Sequence, residues 1–253
     1  METKKFRVFR FDPDSEQKPR YDGFDVAWHE GMVIAEAMEY IYENYDPSLA
    51  FRYECRTRQC GTCVIEVNGQ PVMACKELLG RQREFLLEPI SSLPIIRDLV
   101  VDRELLLEEV RRVLPFETDS TEEVKSDKRD PRAIAPQMMP LIKATEQCAE
   151  CLLCVVVCPA YESVPGYAGP MSFNKMGKYA LDNRDVANRI SEAEAGKILS
   201  CKTCFRCEDV CPHEIPIRRI SMGSIMRFSR DPIAAVVPAV ARVRPDAPII
   251  AVP

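Results

Sequence analysis

Cys148-Ala149-Glu150-Cys151-Leu152-Leu153-Cys154-Val155-Val156-Val157-Cys158-Pro159 spells a pattern that the chain repeats as Cys201-Lys202-Thr203-Cys204-Phe205-Arg206-Cys207-Glu208-Asp209-Val210-Cys211-Pro212. Three thiolates two residues apart on a tightly turning backbone converge on three corners of an iron-sulfur cubane. The fourth, followed by proline, serves the neighbouring cube. On this reading Cys148, Cys151, Cys154 and Cys211 hold one 4Fe-4S cluster, and Cys158, Cys201, Cys204 and Cys207 hold a second, distal one. A zinc ribbon needs two separated cysteine pairs around one ion, and it explains neither the third cysteine at the same spacing nor the Cys-Pro. A disulfide framework needs an oxidising compartment, and the opening Met1-Glu2-Thr3-Lys4-Lys5-Phe6-Arg7 leads into no apolar signal region.

Upstream stands a different cysteine grammar, Cys55-x4-Cys60-x2-Cys63 and, after eleven residues, Cys75. This is the plant-type ligand set for a 2Fe-2S cluster. Val64 to Val67, Asn68-Gly69 and Gln70 to Ala74 spell a hairpin with the preferred two-residue turn, which carries Cys75 back beside the loop. Gly61 lets the backbone approach the cluster without a Cβ in the way. Arg56 and Arg58 flank the loop, where positive charge favours the reduced cluster; two solvated arginines are the alternative.

The rest of the chain is read around these sets. Phe6 and Val8, with Phe9 and Phe11 one residue out of step, predict a strand whose register stays open. Phe24, Val26 and Trp28 alternate with Asp25, Ala27 and His29 as a second strand, joined by a hairpin. Val33, Ala37, Ile41 and Tyr45, with Ile34, Met38 and Tyr42, predict an amphipathic helix over 32–45. A further helix is expected at 98–114, then a charged connection. Short helices follow at 137–147, 172–182, 191–200 and 216–229, with Ser191 and Glu194 as a capping box. The expected domains are 1–105 with the 2Fe-2S set, a connecting helix and linker at 106–136, a two-cubane helical domain at 137–230, and an apolar tail at 231–253. The tail's five prolines break any long helix; an arm on a partner subunit and a disordered tail are both open readings.

Composition narrows the function. The 253 residues carry a formal charge of −5, with acidic and basic residues mixed throughout, so nucleic acid is not an expected partner. No stretch approaches the roughly 18 apolar residues of a membrane span. No Gly-x-Gly-x-x-Gly or Gly-x4-Gly-Lys-Ser/Thr motif is found, so a nucleotide cofactor on this chain is not expected. The two histidines, His29 and His213, form no catalytic set; His29 reads as structural, and His213 as structural or as a proton relay. Three one-electron centres in one small protein read as a wire rather than as a substrate pocket.

From the Cys55-x4-Cys60-x2-Cys63-x11-Cys75 loop through both Cys-Pro motifs, the chain resembles the iron-sulfur subunit of the succinate dehydrogenase and fumarate reductase family. Arg52-Tyr53-Glu54-Cys55, Cys60-Gly61-Thr62-Cys63, the Asn68-Gly69 turn and Gly169-Pro170 carry the likeness. The resemblance implies an α+β protein, with an N-terminal β-grasp plant-type 2Fe-2S ferredoxin domain and a C-terminal α-helical two-cluster ferredoxin domain. It implies docking to an FAD-containing flavoprotein subunit that interconverts succinate and fumarate. A membrane-anchor or other electron-acceptor subunit would hold the complex on the inner, cytoplasmic face of the cell membrane. Most members carry a 3Fe-4S distal cluster because the second position of the last motif is not cysteine. Cys204 here implies a distal 4Fe-4S cluster, as in archaeal and thiol-linked variants, with 3Fe-4S the alternative. The usual ubiquinone residues are replaced by Tyr161, Glu162, Ser163 and Lys202; Lys202 is a candidate quinone or cluster contact. The same relay in a thiol- or heterodisulfide-linked complex, one acting on another acid, and a free multi-cluster ferredoxin are the alternative functions.

Overall fold

The computed structural model describes residues 2–15, 17–117, 134 and 136–228. The tail expected at 231–253 and residues 118–133 of the connection lie outside the described residues. Two compact units emerge: Met1–Glu108 with Cys148–Cys158 and Asp209–Glu214, and Glu109–Gln147 with Pro159–Glu208 and the chain from Ile215 on.

In the first unit, β1 (Thr3–Arg10) and β2 (Arg20–Ala27) form the expected hairpin, from Thr3 opposite Ala27 to Arg10 opposite Arg20. Its register settles on the even positions, for Lys4, Phe6, Val8 and Arg10 are all buried. Phe9 packs edge-on against Tyr21, ring centroids 5.7 Å apart. Both buried cations have polar partners. Lys4 donates to the Gly80 and Gln82 carbonyls at 2.9 and 2.5 Å, and Arg10 is surrounded by Asp22, Asp46 and Asp98. Helix α1 (Ile34–Asn44) buries Ile34, Ala37, Met38 and Ile41. The Glu36 carboxylate accepts the Val33 N–H at 2.9 Å at its start. Tyr42 and Tyr45, placed on the expected apolar stripe, stay exposed.

β3 (Val64–Val67) and β4 (Gln70–Met73) turn at Asn68-Gly69, with φ of 52° and 74° as a type I′ turn requires. β5 (Glu84–Glu88) runs parallel to β1 and antiparallel to β3. The sheet order is therefore β2-β1-β5-β3-β4, and α1 shares its core. This is the β-grasp arrangement.

The helix expected over 98–114 is mostly not one. Ile95–Arg97 (β6) and Val100–Val101 (β7) make a small ribbon, and helix α2 occupies only Glu104–Arg111. The reason is tertiary: the Asp98 carboxylate accepts from the Phe11 and Ala50 amides, both at 2.9 Å, while Leu99 and Val101 are drawn into the sheet's core. A buried acid with two amide donors outweighs a helical periodicity.

The second unit is helical. α3 (Met139–Glu146) follows a 3₁₀ turn, as expected near 137–147. α4 (Leu153–Val156) belongs to the first unit, where Leu153 joins the sheet's core. α5 (Pro159–Ser163) leads to α6 (Gly169–Ala180), which starts three residues earlier than expected. α6 is the unit's centre. A Cβ at Gly177 would stand 2.6 Å from the Ser221 backbone, and Asn174 links the Thr145 carbonyl to the Ser221 hydroxyl at 3.0 and 2.7 Å. α7 (Arg189–Ala195) is capped by Asn188, which accepts the Ser191 N–H at 3.0 Å. Ser191, expected to be the cap, is thus inside the helix, and Gly196 ends it well before residue 200. α8 (Arg206–Asp209) follows the opening turn of the last cysteine motif. The predicted 216–229 helix divides into a π-helical turn, Ile217–Met222, and α9 (Gly223–Phe228). No helix among the described residues is long and apolar enough to cross a membrane.

Candidate iron-sulfur centres

The three cysteine loops share a backbone device. In the first repeat Glu150 and Leu152 adopt φ of 50° and 73°; in the second, the corresponding Thr203 and Phe205 adopt 54° and 62°. Non-glycine residues rarely take such values, β-branched and bulky ones least. Both copies hold them at equivalent positions, on either side of the middle cysteine, so the two loops share one strained backbone form. The upstream loop does the same with Arg56 and Arg58, at 58° and 66°.

The alternation turns amides toward sulfur. Cys55 Sγ accepts from the backbone N–H groups of Thr57, Gln59 and Cys60 at 3.4, 3.3 and 3.3 Å. The Thr57 amide foremost, with that of Cys60, lowers the thiol's pKa to about 6, so this position is built for a thiolate. Cys201 Sγ likewise accepts from Thr203 N–H at 3.4 Å. Cys63 is different: it is buried, and burial pushes its thiol up to about 12. Burial also pushes Cys151 up to about 11, with smaller contributions from Cys148 and Cys211. Such thiols become thiolates only when a metal replaces the proton. The donor set, soft sulfur throughout, fits iron-sulfur chemistry.

The structure places Cys55, Cys60, Cys63 and Cys75 in the first unit together with Cys148, Cys151, Cys154 and Cys211. Cys158 also lies in that unit, while Cys201, Cys204 and Cys207 lie in the second. Among the described residues, no three His, Cys, Asp or Glu side chains gather as a single-ion site would need. Cys204 and Lys202 are exposed.

The upstream loop and the first repeat are in backbone contact. A Cβ at Gly61, whose φ is 64°, would lie 2.9 Å from Cys151 Cα and closer still to the Ala149 carbonyl oxygen. Three tethers flank this contact. His213 Nε2 donates to the Arg58 carbonyl at 2.8 Å, Lys76 Nζ to Pro212 O at 3.1 Å, and Arg103 Nη2 to Glu150 O at 2.8 Å. His213 is therefore engaged as a strut between loops. His29 lies just beyond β2, its Nδ1 at 3.0 Å from Glu30 O.

Arg56 and Arg58 agree with the second of the two readings given above, that of solvated arginines. Both are exposed; Arg56 pairs with Glu39 and stacks over Tyr53 at 4.8 Å. The cation that the sequence did not single out is Arg103. It borders a cleft of about 630 Å³ with Arg52 and Cys60, and a small inner cavity with Cys63 and Cys151. Burial, then Arg52, holds its guanidinium below the usual arginine range, against the opposite pull of the Cys151, Cys60 and Cys63 thiols. Nothing in the local sequence marks it, since it follows an ordinary Val-Val-Asp run. In the second unit, the buried Glu208 beside Cys207 accepts from Arg219 N–H at 2.8 Å and Nε at 2.6 Å, tying the last motif to the π-helical turn.

Fold and cysteine sets together define a multi-cluster iron-sulfur protein. Residues 5–108 match the family described as 2Fe-2S iron-sulfur cluster binding domain, and residues 144–215 the 4Fe-4S dicluster domain. The chain is 30% identical to a fumarate reductase iron-sulfur subunit of Haemophilus influenzae, over 86% of this chain and 90% of that protein. It is 32% identical to a fumarate reductase (CoM/CoB) subunit of Methanothermobacter marburgensis, over 83% of this chain but only 41% of the relative's length. A chain of the Mycobacterium smegmatis Sdh1 complex in the apo form has the same fold, with a TM-score of 0.79, 23% identity, and coverage of 91% of this chain and 98% of that one. The chain belongs to the iron-sulfur subunit family of succinate dehydrogenase and fumarate reductase.

Proposed function

We infer that the chain relays single electrons between an FAD-containing flavoprotein subunit and a quinone or other acceptor, as the iron-sulfur subunit of a succinate dehydrogenase/fumarate reductase complex. Cys55, Cys60, Cys63 and Cys75 would hold one 2Fe-2S cluster, Cys148, Cys151, Cys154 and Cys211 a 4Fe-4S cluster, and Cys158, Cys201, Cys204 and Cys207 a distal 4Fe-4S cluster. The clusters supply one-electron chemistry; the chain supplies spacing, insulation and charge. The observation that carries the reading is the backbone contact of Gly61 with Ala149 and Cys151, which presses the 2Fe-2S loop directly onto the first cubane loop. A relay requires such closeness. The partner set is completed by a membrane-anchor or other acceptor subunit, which would hold the complex on the inner face of the cell membrane.

A second reading, with a thiol or disulfide in place of quinone, is favoured by Cys204 and by the Methanothermobacter relative whose name specifies CoM and CoB. Lys202 beside Cys201 would then serve as a cluster-side charge rather than as a quinone contact.

Low-temperature EPR of the anaerobically purified protein, with iron and sulfide counted on the same sample, tests the assignment. One 2Fe-2S and two 4Fe-4S centres require about ten irons per chain and no oxidised 3Fe-4S signal. About nine irons with a strong 3Fe-4S signal would remove Cys204 from the ligand set. Mixing with the flavoprotein subunit should give succinate-dependent reduction of the 2Fe-2S centre, seen as growth of its EPR signal; its absence points to another acid substrate.

A further inference from the structure

Arg103 stands just before α2, and the Leu107 N–H closes the first helical turn onto its carbonyl at 3.1 Å. One of its guanidinium nitrogens is committed to the Glu150 carbonyl, at 2.8 Å. Its Nε is buried with no hydrogen-bond partner among the described residues. A second cation, Arg52, lines both of the cavities that Arg103 lines. A half-buried cation beside another cation, with one donor orphaned, is an unfavourable arrangement unless an anion completes it. Cysteines of two different sets line the spaces that Arg103 lines: Cys60 the outer cleft, where Glu54, Asp102, Glu104 and Glu150 also stand, and Cys63 and Cys151 the inner cavity, which no carboxylate among the described residues lines.

We propose that Arg103 is the counter-charge shared by the two thiolate sets of this unit, raising the reduction potentials of both centres together. A centre that takes up one electron gains one negative charge, so a fixed cation nearby stabilises the reduced form more than the oxidised form. One side chain facing both sets moves both potentials in the same direction and keeps successive steps matched. Neither set needs to be modified for the pair to be tuned. The inference rests on the ligand assignment proposed above.

The experiment is an EPR-monitored redox titration of the full chain, purified anaerobically, with iron counted for every variant. Arg103→Gln is expected to retain both centres while the reduced-to-oxidised ratio of each, at a fixed poise, falls about tenfold, which for one electron is about 59 mV. Arg103→Lys, which keeps the charge, should recover most of that shift. Leu107→Glu sets a carboxylate one helical turn from Arg103 and should lower both ratios with Arg103 intact, a readout that survives if Arg103→Gln does not fold. Unchanged ratios in the glutamine and glutamate variants with full iron content would overturn the proposal, as would a lysine variant that behaves like the glutamine one. Wild-type protein lacking a 2Fe-2S signal would instead sink the ligand assignment beneath it.

Discussion

Gly61 sits where two cysteine loops touch, and a methyl group there has no room. With φ at 64°, and with Cys151 Cα 2.9 Å from the position of an added Cβ, Gly61→Ala meets backbone rather than a yielding side chain. The substitution should destabilise the first unit by about 1–3 kcal/mol and loosen the first cubane, seen as a lower denaturation midpoint and a lower iron count. At Asp46 the interaction is electrostatic. Hydrogen bonds from the Ser48 side chain, then from Arg10, hold its carboxyl well below the usual carboxylate range. In the unfolded chain the group takes up its proton near pH 3.9, and in the folded chain only at lower pH. Its stabilisation is therefore fully present above about pH 5 and lost as pH falls through the folded value. Asp46→Asn should be less stable than wild type at pH 7, with the gap closing on acidification; a gap that stays constant down to pH 2 would refute the assignment.

Among the elements, α6 shows how a helix substitutes packing for propensity. Gly177 is unfavourable in a helix interior, yet it admits the Ser221 backbone at a distance no side chain would allow. Gly177→Ala should gain propensity and still lose stability, by about 1–3 kcal/mol, measured by chemical denaturation. The same competition decided the fate of residues 98–114. Their leucine and valine spacing is helical on paper, but Asp98 is held by the Phe11 and Ala50 amides, so only Glu104–Arg111 coils. At α7 the local signal misled by three residues. Ser191 and Glu194 look like a capping box, whereas Asn188 makes the capping bond.

For the whole molecule, the two compact units divide the proposed ligands unequally. All eight cysteines of the 2Fe-2S and first cubane sets lie in the first unit, whereas Cys201, Cys204 and Cys207 lie in the second. Cys204→Ser should therefore convert or weaken the distal cluster alone, with the 2Fe-2S EPR signal unchanged. Loss of all three signals together would contradict either the cross-ligation scheme or the independence of the two domains.

Read alone, the sequence determined the chemistry of the centres. Cysteine spacing is a property of consecutive residues, so Cys148-x2-Cys151-x2-Cys154 and Cys55-x4-Cys60-x2-Cys63 point to iron-sulfur chemistry without any fold, in agreement with the 2Fe-2S and 4Fe-4S domain matches. The Asn68-Gly69 turn and α1 are equally local, set by φ preference and by a 3.6-residue period. What surrounds the centres was decided only in three dimensions. Arg103 carries no motif, and it matters because folding sets it against Cys60, Cys63 and Cys151. Arg56, adjacent to Cys55 in sequence, is paired with Glu39 from a different element. Bonded spacing is written along the chain, but electrostatic fields act through space, and only the tertiary structure says which charges are close and which are screened.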